Sequence, residues 1–240
     1  MPILLSLDVE TTGLNTATDQ VLEVGAILYS TGLGKCLESS GYLVKTTLPI
    51  TEEITKLTGI HPAAVEKFGY ESDCALDALL NMMDRADAFI GQNVIRFDKR
   101  IIESWAARFN KKIPEKLWID TRTDLPGVEG KHLGYMAADK GFLNLFPHSA
   151  LADCQTVVKL IEGMDIDAII ERAKSPLVIL KAHVSYNTNA LAKKRKYSWY
   201  APEKLWWKIV KKSDLPFETG HNEFEVSFVE DISPETLLYS

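Results

Sequence analysis

The sequence predicts an α/β fold: a mixed five-stranded sheet whose first three strands run antiparallel, with helices on its faces, followed by a small basic α+β module. Three observations predict it. Apolar runs at 3–9, 21–29 and 37–46 follow one another over short links, which is the pattern of an antiparallel meander. Two shorter apolar runs, 88–91 and 117–120, then alternate with helix-period stretches, as strands do when helices cover the faces of a sheet. After Lys174-Ser175-Pro176, acidic helical sequence gives way to a basic, Trp-rich stretch. That composition shift marks a boundary and divides the chain into residues 1–174 and 176–240.

The elements follow in order. Ile3 to Val9, Val21 to Tyr29 and Leu37 to Thr46 are the meander, its last two strands separated by the turn-rich Ser30-Thr31-Gly32-Leu33-Gly34. Thr51 to Leu57 and Pro62 to Lys67 read as short helices, and Ser72 to Arg85 as a longer one with Leu76, Leu79, Leu80 and Met83 on one face. Ala88 to Gly91 is a strand, Arg96 to Phe109 a helix and Leu117 to Asp120 the fifth strand. Thr121 to Lys131 is polar and broken by Pro126, Gly127 and Gly130, so it reads as loop. His132 to Lys140 and Ser149 to Met164 read as helices, with Ser149 as N-cap of the second. Beyond the boundary, Asn189 to Arg195 is helical, and Trp199, Trp206 and Trp207 belong to a hairpin turning through Pro202-Glu203-Lys204. The acidic stretch 216–240 reads as a further strand and tail.

Composition narrows the class. With 240 residues and 46% hydrophobic content there is chain for one large domain, alone or with a small appendage. No apolar segment reaches the length of a membrane span, and the opening Met-Pro-Ile-Leu-Leu-Ser-Leu lacks the basic leader of a secretion signal. Cys36, Cys74 and Cys154 are odd in number, widely separated and not in metal-ligand spacing, so a reducing, cytoplasmic setting is expected. A net charge of −6 argues against a protein that coats nucleic acid indiscriminately. Its distribution says something different: residues 176–212 carry nine basic side chains against Glu203 alone, a net +8, which leaves −14 for the rest. An acidic body with one basic surface favours contact with a polyanion.

The chemistry-bearing residues sit at the ends of the predicted strands. In Leu7-Asp8-Val9-Glu10, strand alternation sends Asp8 and Glu10 to one face and Leu7 and Val9 to the other. Burying two anions together is costly, and a bound metal is the simplest way to keep both ionised. Asn93-Val94-Ile95-Arg96-Phe97-Asp98 places an Asp in the first turn of a helix that follows a strand. His148-Ser149-Ala150-Leu151-Ala152-Asp153 places a His in a loop and an Asp more than one turn inside the next helix, on an otherwise apolar stretch. Singly, each has a plain structural reading: a solvated strand end, a helix N-terminal charge favoured by the macrodipole, a surface loop residue. Together, four acids from three regions can converge on one spot.

These three motifs, in this order and spacing from about residue 3 to about residue 164, resemble those of the DEDD superfamily of 3′-to-5′ exonucleases, in its subgroup with a catalytic histidine. That subgroup includes the proofreading subunits of bacterial replicative polymerases and the exonuclease X branch. The resemblance implies an RNase H-like exonuclease fold, with Asp8, Glu10, Asp98 and Asp153 holding two divalent cations, Mg²⁺ or Mn²⁺, and Asp8 bridging them. It implies that His148 takes a proton from the attacking water, a task suited to imidazole, whose ordinary pKa lies near 6.5. It further implies that Thr11, Thr12, Gly13 and Leu14 hold the terminal nucleotide and that Asn93 lies on the substrate side. Gln92 stands where relatives commonly have His, a departure that bears on sugar and base preference. Glu23 lies where relatives often have an acid, and structural pairing is its simplest reading.

The segment 191–208 resembles a small module that follows the nuclease domain in some exonuclease-X-like proteins. Basic residues interleaved with aromatics suit backbone contact and base stacking. Equally, the tryptophans could form a small core, although Trp206 and Trp207 point to opposite faces and cannot both belong to it. Two functional classes follow. The first is an enzyme that removes nucleoside 5′-monophosphates from the 3′ end of DNA, with the basic module gripping the strand; an exoribonuclease acting on short RNA is its variant. The second is a non-catalytic tether within a polymerase or repair complex.

Overall fold

A computed structural model describes residues 1–126, 132–221, 223–232 and 234. The chain divides into two compact units, Met1–Ala173 and Lys174–Ser240.

The first unit is built on β1 (Ile3–Thr11), β2 (Val21–Ser30) and β3 (Lys35–Leu43). They are followed by α1 (Glu52–Thr58), α2 (Pro62–Phe68), α3 (Ser72–Arg85), β4 (Ala88–Gly91), α4 (Asp98–Arg108) and β5 (Leu117–Asp120). The sheet order is β3-β2-β1-β4-β5: β1 pairs antiparallel with β2 and parallel with β4, so the strand carrying Asp8 and Glu10 is central. Next come α5 (Thr121–Asp124), α6 (Leu133–Asp139), α7 (Ala150–Ile161) and α8 (Ile166–Lys174). This is the predicted mixed sheet, three antiparallel strands first.

Each face of the sheet has its own core. Leu5, Leu7 and Val9 of β1 pack with Leu76, Leu79 and Met83 of α3 and with Ile101, Ile102 and Trp105 of α4. On the other face Leu4 and Ile90 pack with Met136 of α6 and with Val157, Leu160 and Ile161 of α7. The alternation along β1 therefore delivers Leu4, Ser6, Asp8 and Glu10 to the α7 side. Glycine makes the close approach possible: a Cβ on Gly25, opposite Asp8 in the ladder, would lie 2.2 Å from the Ala150 backbone.

Several boundaries differ from expectation, each for a local reason. β3 begins at Lys35 after Gly34 turns the chain at φ 61°, and it ends at Leu43; Val44 bridges Tyr70 while its N–H still donates to Leu22 O at 2.8 Å. The chain after β5 is not all loop. Asp120 accepts from the Arg122 N–H at 2.9 Å and caps the single turn α5, while 127–131 lie outside the described residues. Helix α4 starts at Asp98, not Arg96. Ser149 occupies the N-cap of α7 but makes no side-chain cap bond. Leu80 only borders the α3 core, where Ala75 and Met82 are buried instead.

The second unit is the predicted α+β module. It contains β6 (Leu177–His183), α9 (Asn189–Lys194), β7 (Ser198–Tyr200), β8 (Leu205–Lys211), α10 (Leu215–Thr219) and β9 (Glu225–Val229), in a four-stranded antiparallel sheet of order β7-β8-β6-β9. Its core is Leu180, Ala182, Ala192, Tyr197 and Val210, with Trp206 packed against it. Trp199 stays 50% exposed, so the tryptophans do not together form the core. Among the described residues no helix is long and apolar enough to cross a membrane.

Candidate active site

The site forms where the C-terminal end of β1 meets the N-terminal end of α7. One carboxylate oxygen each from Asp8, Glu10 and Asp153 lies within 4.8 Å of the others. Sequence spacing thus brought three of the four predicted acids into one cluster. Asp98 sits beside them by another route: it is buried as the first residue of α4, and its Oδ1 accepts the Val9 N–H at 3.0 Å, between the two acids of β1. That bond ties the start of α4 to the central strand.

Asp153 is not deep in its helix, as expected, but in the first turn of α7. Its own N–H makes the bond to Ser149 O at 2.9 Å that starts the helix. Its Oδ1 accepts from Asn144 Nδ2, and its Oδ2 accepts from the His148 N–H at 3.2 Å. His148 is exposed, at φ 63°. A left-handed backbone is uncommon for a residue with a side chain, and such strain persists where surrounding contacts enforce it. Here the N–H bond to Asp153 couples the loop to the acid cluster.

The electrostatics are those of uncompensated anions. Burial first, then the carboxylates of Asp98, Asp153, Glu10 and Glu23, push Asp8 well above its ordinary range. Burial and the charges of Asp153, Glu23 and Asp98 push Glu10 up to about 8. Burial likewise raises Asp98, to about 7, against the opposing pull of the Val9 N–H. Asp153 is raised by burial, while its bonds from Asn144 and the His148 N–H work the other way. Among the described residues, the leading charges acting on Asp8 and Glu10 are all carboxylates. Clustered hard oxygen donors with this deficit of positive charge fit a divalent cation such as Mg²⁺ or Mn²⁺.

The turn after β1 is held by its own side chains. Thr11 Oγ1 donates to Gly13 O at 2.6 Å, and Thr12 Oγ1 donates to Asp19 Oδ1 at 2.7 Å. A Cβ on Gly13 would stand 2.6 Å from the Asp19 carboxylate, so a side chain there would have to displace Asp19 from its bonds to Thr12 and the Asn15 N–H. Leu14 is 86% exposed, which removes a core role. Near His148, Leu145 and Phe146 are also exposed. Asn93 lies at φ 57° and its N–H donates to Asp120 Oδ1 at 3.0 Å, while Gln92 Oε1 accepts from Thr121 Oγ1 at 2.5 Å.

Four residues were missed or undervalued. Glu23, opposite Glu10 in the ladder, accepts the Ala150 N–H at 3.0 Å and so caps α7 from the neighbouring strand. Buried Asp120 holds the Asn93 and Arg122 N–H groups and shapes the turn that leads to Asp98. Asn144 steadies Asp153. Gly25 was visible as a glycine inside a strand pattern, a sign of close backbone approach; the other three carry no local signal.

The family model described as Exonuclease (RNase_T) matches residues 5–161, and the chain belongs to that family. Its fold is accordingly the RNase H-like exonuclease fold. Solved structures agree on the fold: Escherichia coli Exonuclease I with a dA16 oligonucleotide superposes with TM-score 0.62 at 16% identity, over 78% of this chain and 49% of that one. The same enzyme with a dT13 oligonucleotide gives TM-score 0.62 at 13% identity, over 98% and 67%, and its zinc-bound complex with single-stranded DNA gives 0.61 at 15%, over 80% and 50%. The chain thus spans about half the length of the first of these. No curated protein matches the sequence.

Proposed function

We propose that this protein is a metal-dependent 3′-to-5′ exodeoxyribonuclease of the histidine-containing DEDD type, allied to the proofreading and exonuclease X branch and working in a reducing, cytoplasmic setting. Its nuclease domain is residues 1–174, and the basic module 176–240 grips the strand. The observation that carries the reading is the gathering of Asp8, Glu10 and Asp153 carboxylate oxygens within 4.8 Å, with Asp98 bonded to the backbone between the first two. Asp8, Glu10, Asp98 and Asp153 hold two divalent cations, Mg²⁺ or Mn²⁺. Such a pair would supply positive charge against the negative charge that develops when a phosphodiester is displaced in line.

The chain's own groups do the rest. His148, exposed and joined to Asp153 through its backbone, takes the proton of the attacking water. Asn144 and the His148 N–H orient Asp153, and Glu23 and Gly25 seat the start of α7 so that Asp153 reaches the β1 acids. Thr11, Thr12 and Gly13 shape the turn that receives the terminal nucleotide, exposed Leu14 meets its base, and Asn93 lies on the substrate side. Oligonucleotide complexes of the structurally similar Exonuclease I support DNA as the substrate.

Purified protein incubated with 5′-labelled single- and double-stranded DNA and RNA, with Mg²⁺ or with chelator, tests the reading. Stepwise shortening of DNA from the 3′ end, stopped by chelator, is expected. Preferential digestion of short RNA makes the protein an exoribonuclease instead, and absence of digestion from every substrate makes it a tether.

A further inference from the structure

Six basic residues of the second unit fall into two groups. Lys194, Arg195 and Lys208 are answered inside the fold, by Glu223 at 3.9 Å, by Glu218 and Glu223 at 3.6 and 3.5 Å, and by Glu218 at 2.5 Å. Glu218 is itself buried, so this group belongs to the module's own architecture. Lys181, Lys193 and Lys204 form no ion pair among the described residues and instead line one groove of about 730 Å³. No Asp or Glu lines it. Unneutralised charge converging on a concave surface raises the local concentration of anions.

The same groove carries aromatic surface. Trp199 and Trp206 face each other across β7 and β8 with ring centroids 5.6 Å apart, and Lys193 Nζ lies 5.6 Å from the Trp206 ring. Trp206 leans on the core, whereas Trp199 is 50% exposed and Tyr186, on the rim, is 90% exposed. The fold leaves these two rings uncovered although core space was taken by Tyr197 and Leu180. Lys204 stands at φ 47° in the turn between the strands, a conformation uncommon for lysine.

We propose that this groove is a second nucleic-acid site that takes one or two unpaired nucleotides, with bases stacked on Trp199 and Tyr186 and phosphates met by Lys181, Lys193 and Lys204. The volume lies in the range of small-ligand pockets, roughly 300–1,000 Å³, and falls far short of a duplex. In a duplex the bases keep their faces stacked on one another, so exposed rings select an unpaired strand. Stacking tolerates any base, which suits a site that holds sequence passing to an exonuclease. The inference deepens the reading above and rests on it for nucleic acid being the substrate.

The test uses the full chain with chelator present and measures binding of labelled oligo-dT, oligo-rU and a blunt duplex over a range of salt. Trp199→Ala is expected to weaken single-strand binding by roughly 5- to 150-fold, the loss of one stacked base, and Trp199→Phe to recover most of it. Replacing Lys181, Lys193 and Lys204 together by Gln is expected to lower the salt slope by about two, at ~0.7 per phosphate contact. The dT and rU arms decide between DNA and RNA as the strand held. Hydrolysis of thymidine 5′-(p-nitrophenyl phosphate) with Mg²⁺ reports on the carboxylate site alone and is expected to be unchanged in all three variants. Its absence in the parent protein sinks the exonuclease reading, whereas unchanged oligonucleotide affinity in both the Trp199→Ala and the triple-lysine variants overturns the groove. Duplex binding as tight as single-strand binding, or displacement of the oligonucleotide by poly-glutamate with Trp199→Ala without effect, overturns it also.

Discussion

At the end of β1, three carboxylates crowd together and the leading charges acting on Asp8 and Glu10 are other carboxylates, whereas in the groove of the second unit three lysines converge with no carboxylate among its lining. Both are charge surpluses left by folding, and they differ in how they are kept. The acids are half-buried or buried, with Asp98 and Asp153 held by backbone N–H groups, so desolvation dominates and each is pushed towards its protonated form. Lys193 and Lys204 are exposed and Lys181 is half-buried, so water and salt screen them. A buried surplus demands a specific counter-ion of fixed geometry, while an exposed one accepts any polyanion. One unit is thereby suited to chemistry and the other to holding.

The largest effect expected is on the buried side. Asp8→Asn should lower turnover about a thousandfold or more, the several kcal/mol that bound cations supply to the transition state. It should nevertheless stabilise the metal-free fold at pH 8, because an amide needs no counter-charge. Activity retained in a folded Asp8→Asn protein breaks the comparison. His148→Ala should reduce turnover by about a hundredfold or more, in the range of a general base, while Mn²⁺ still binds. Loss of metal affinity in that variant would instead make His148 a ligand.

A smaller effect concerns pH. Glu10 and Asp98 titrate near 8 and 7 in the fold, against roughly 4.3 and 3.9 in an unfolded chain. The metal-free fold therefore keeps protons that the unfolded chain has lost. Their contribution to stability is complete below about pH 4 and is lost as pH rises through 7 and 8. Thermal unfolding with chelator should show Tm falling from pH 5.5 to 8.5, and Mg²⁺ or Mn²⁺ should reverse most of the fall. A Tm flat across that window contradicts the assignment. Smallest is Leu14→Ala, expected to raise KM about fivefold, or ~1 kcal/mol, by removing apolar surface from the terminal base.

The same contrast explains what was legible in the sequence. Asp8 and Glu10 could be placed because strand alternation determines where those side chains fall, whatever surrounds them, whereas Asp153 was picked out by the resemblance of its motif and lies nearer the start of its helix than expected. The meander and the crossover strands were visible from period and turn residues. Asn144 lies in a loop with no period to read, nine residues before Asp153, and Glu23 and Asp120 were hidden because each acts on a group far away in the chain: Glu23 on the Ala150 N–H, Asp120 on the Asn93 N–H. Such pairings exist only after the sheet has assembled. The strand β6 was unforeseen, since Leu177-Val178-Ile179-Leu180 offers no alternation to read. In the groove, composition announced a basic surface but could not separate Lys193 from Lys194. Only the fold turns one to Trp206 and the other to Glu223.

The account's central claim is that folding assembles an unbalanced cluster of acids that a divalent cation completes. Calorimetric titration of Mn²⁺ into the parent protein and the Asp8→Asn variant at pH 7, in two buffers of different ionisation enthalpy, tests it most directly. Binding accompanied by proton release in the parent, and weakened at least tenfold in the variant, is the result predicted. Equal affinity in the two proteins, or binding that releases no protons, would contradict it.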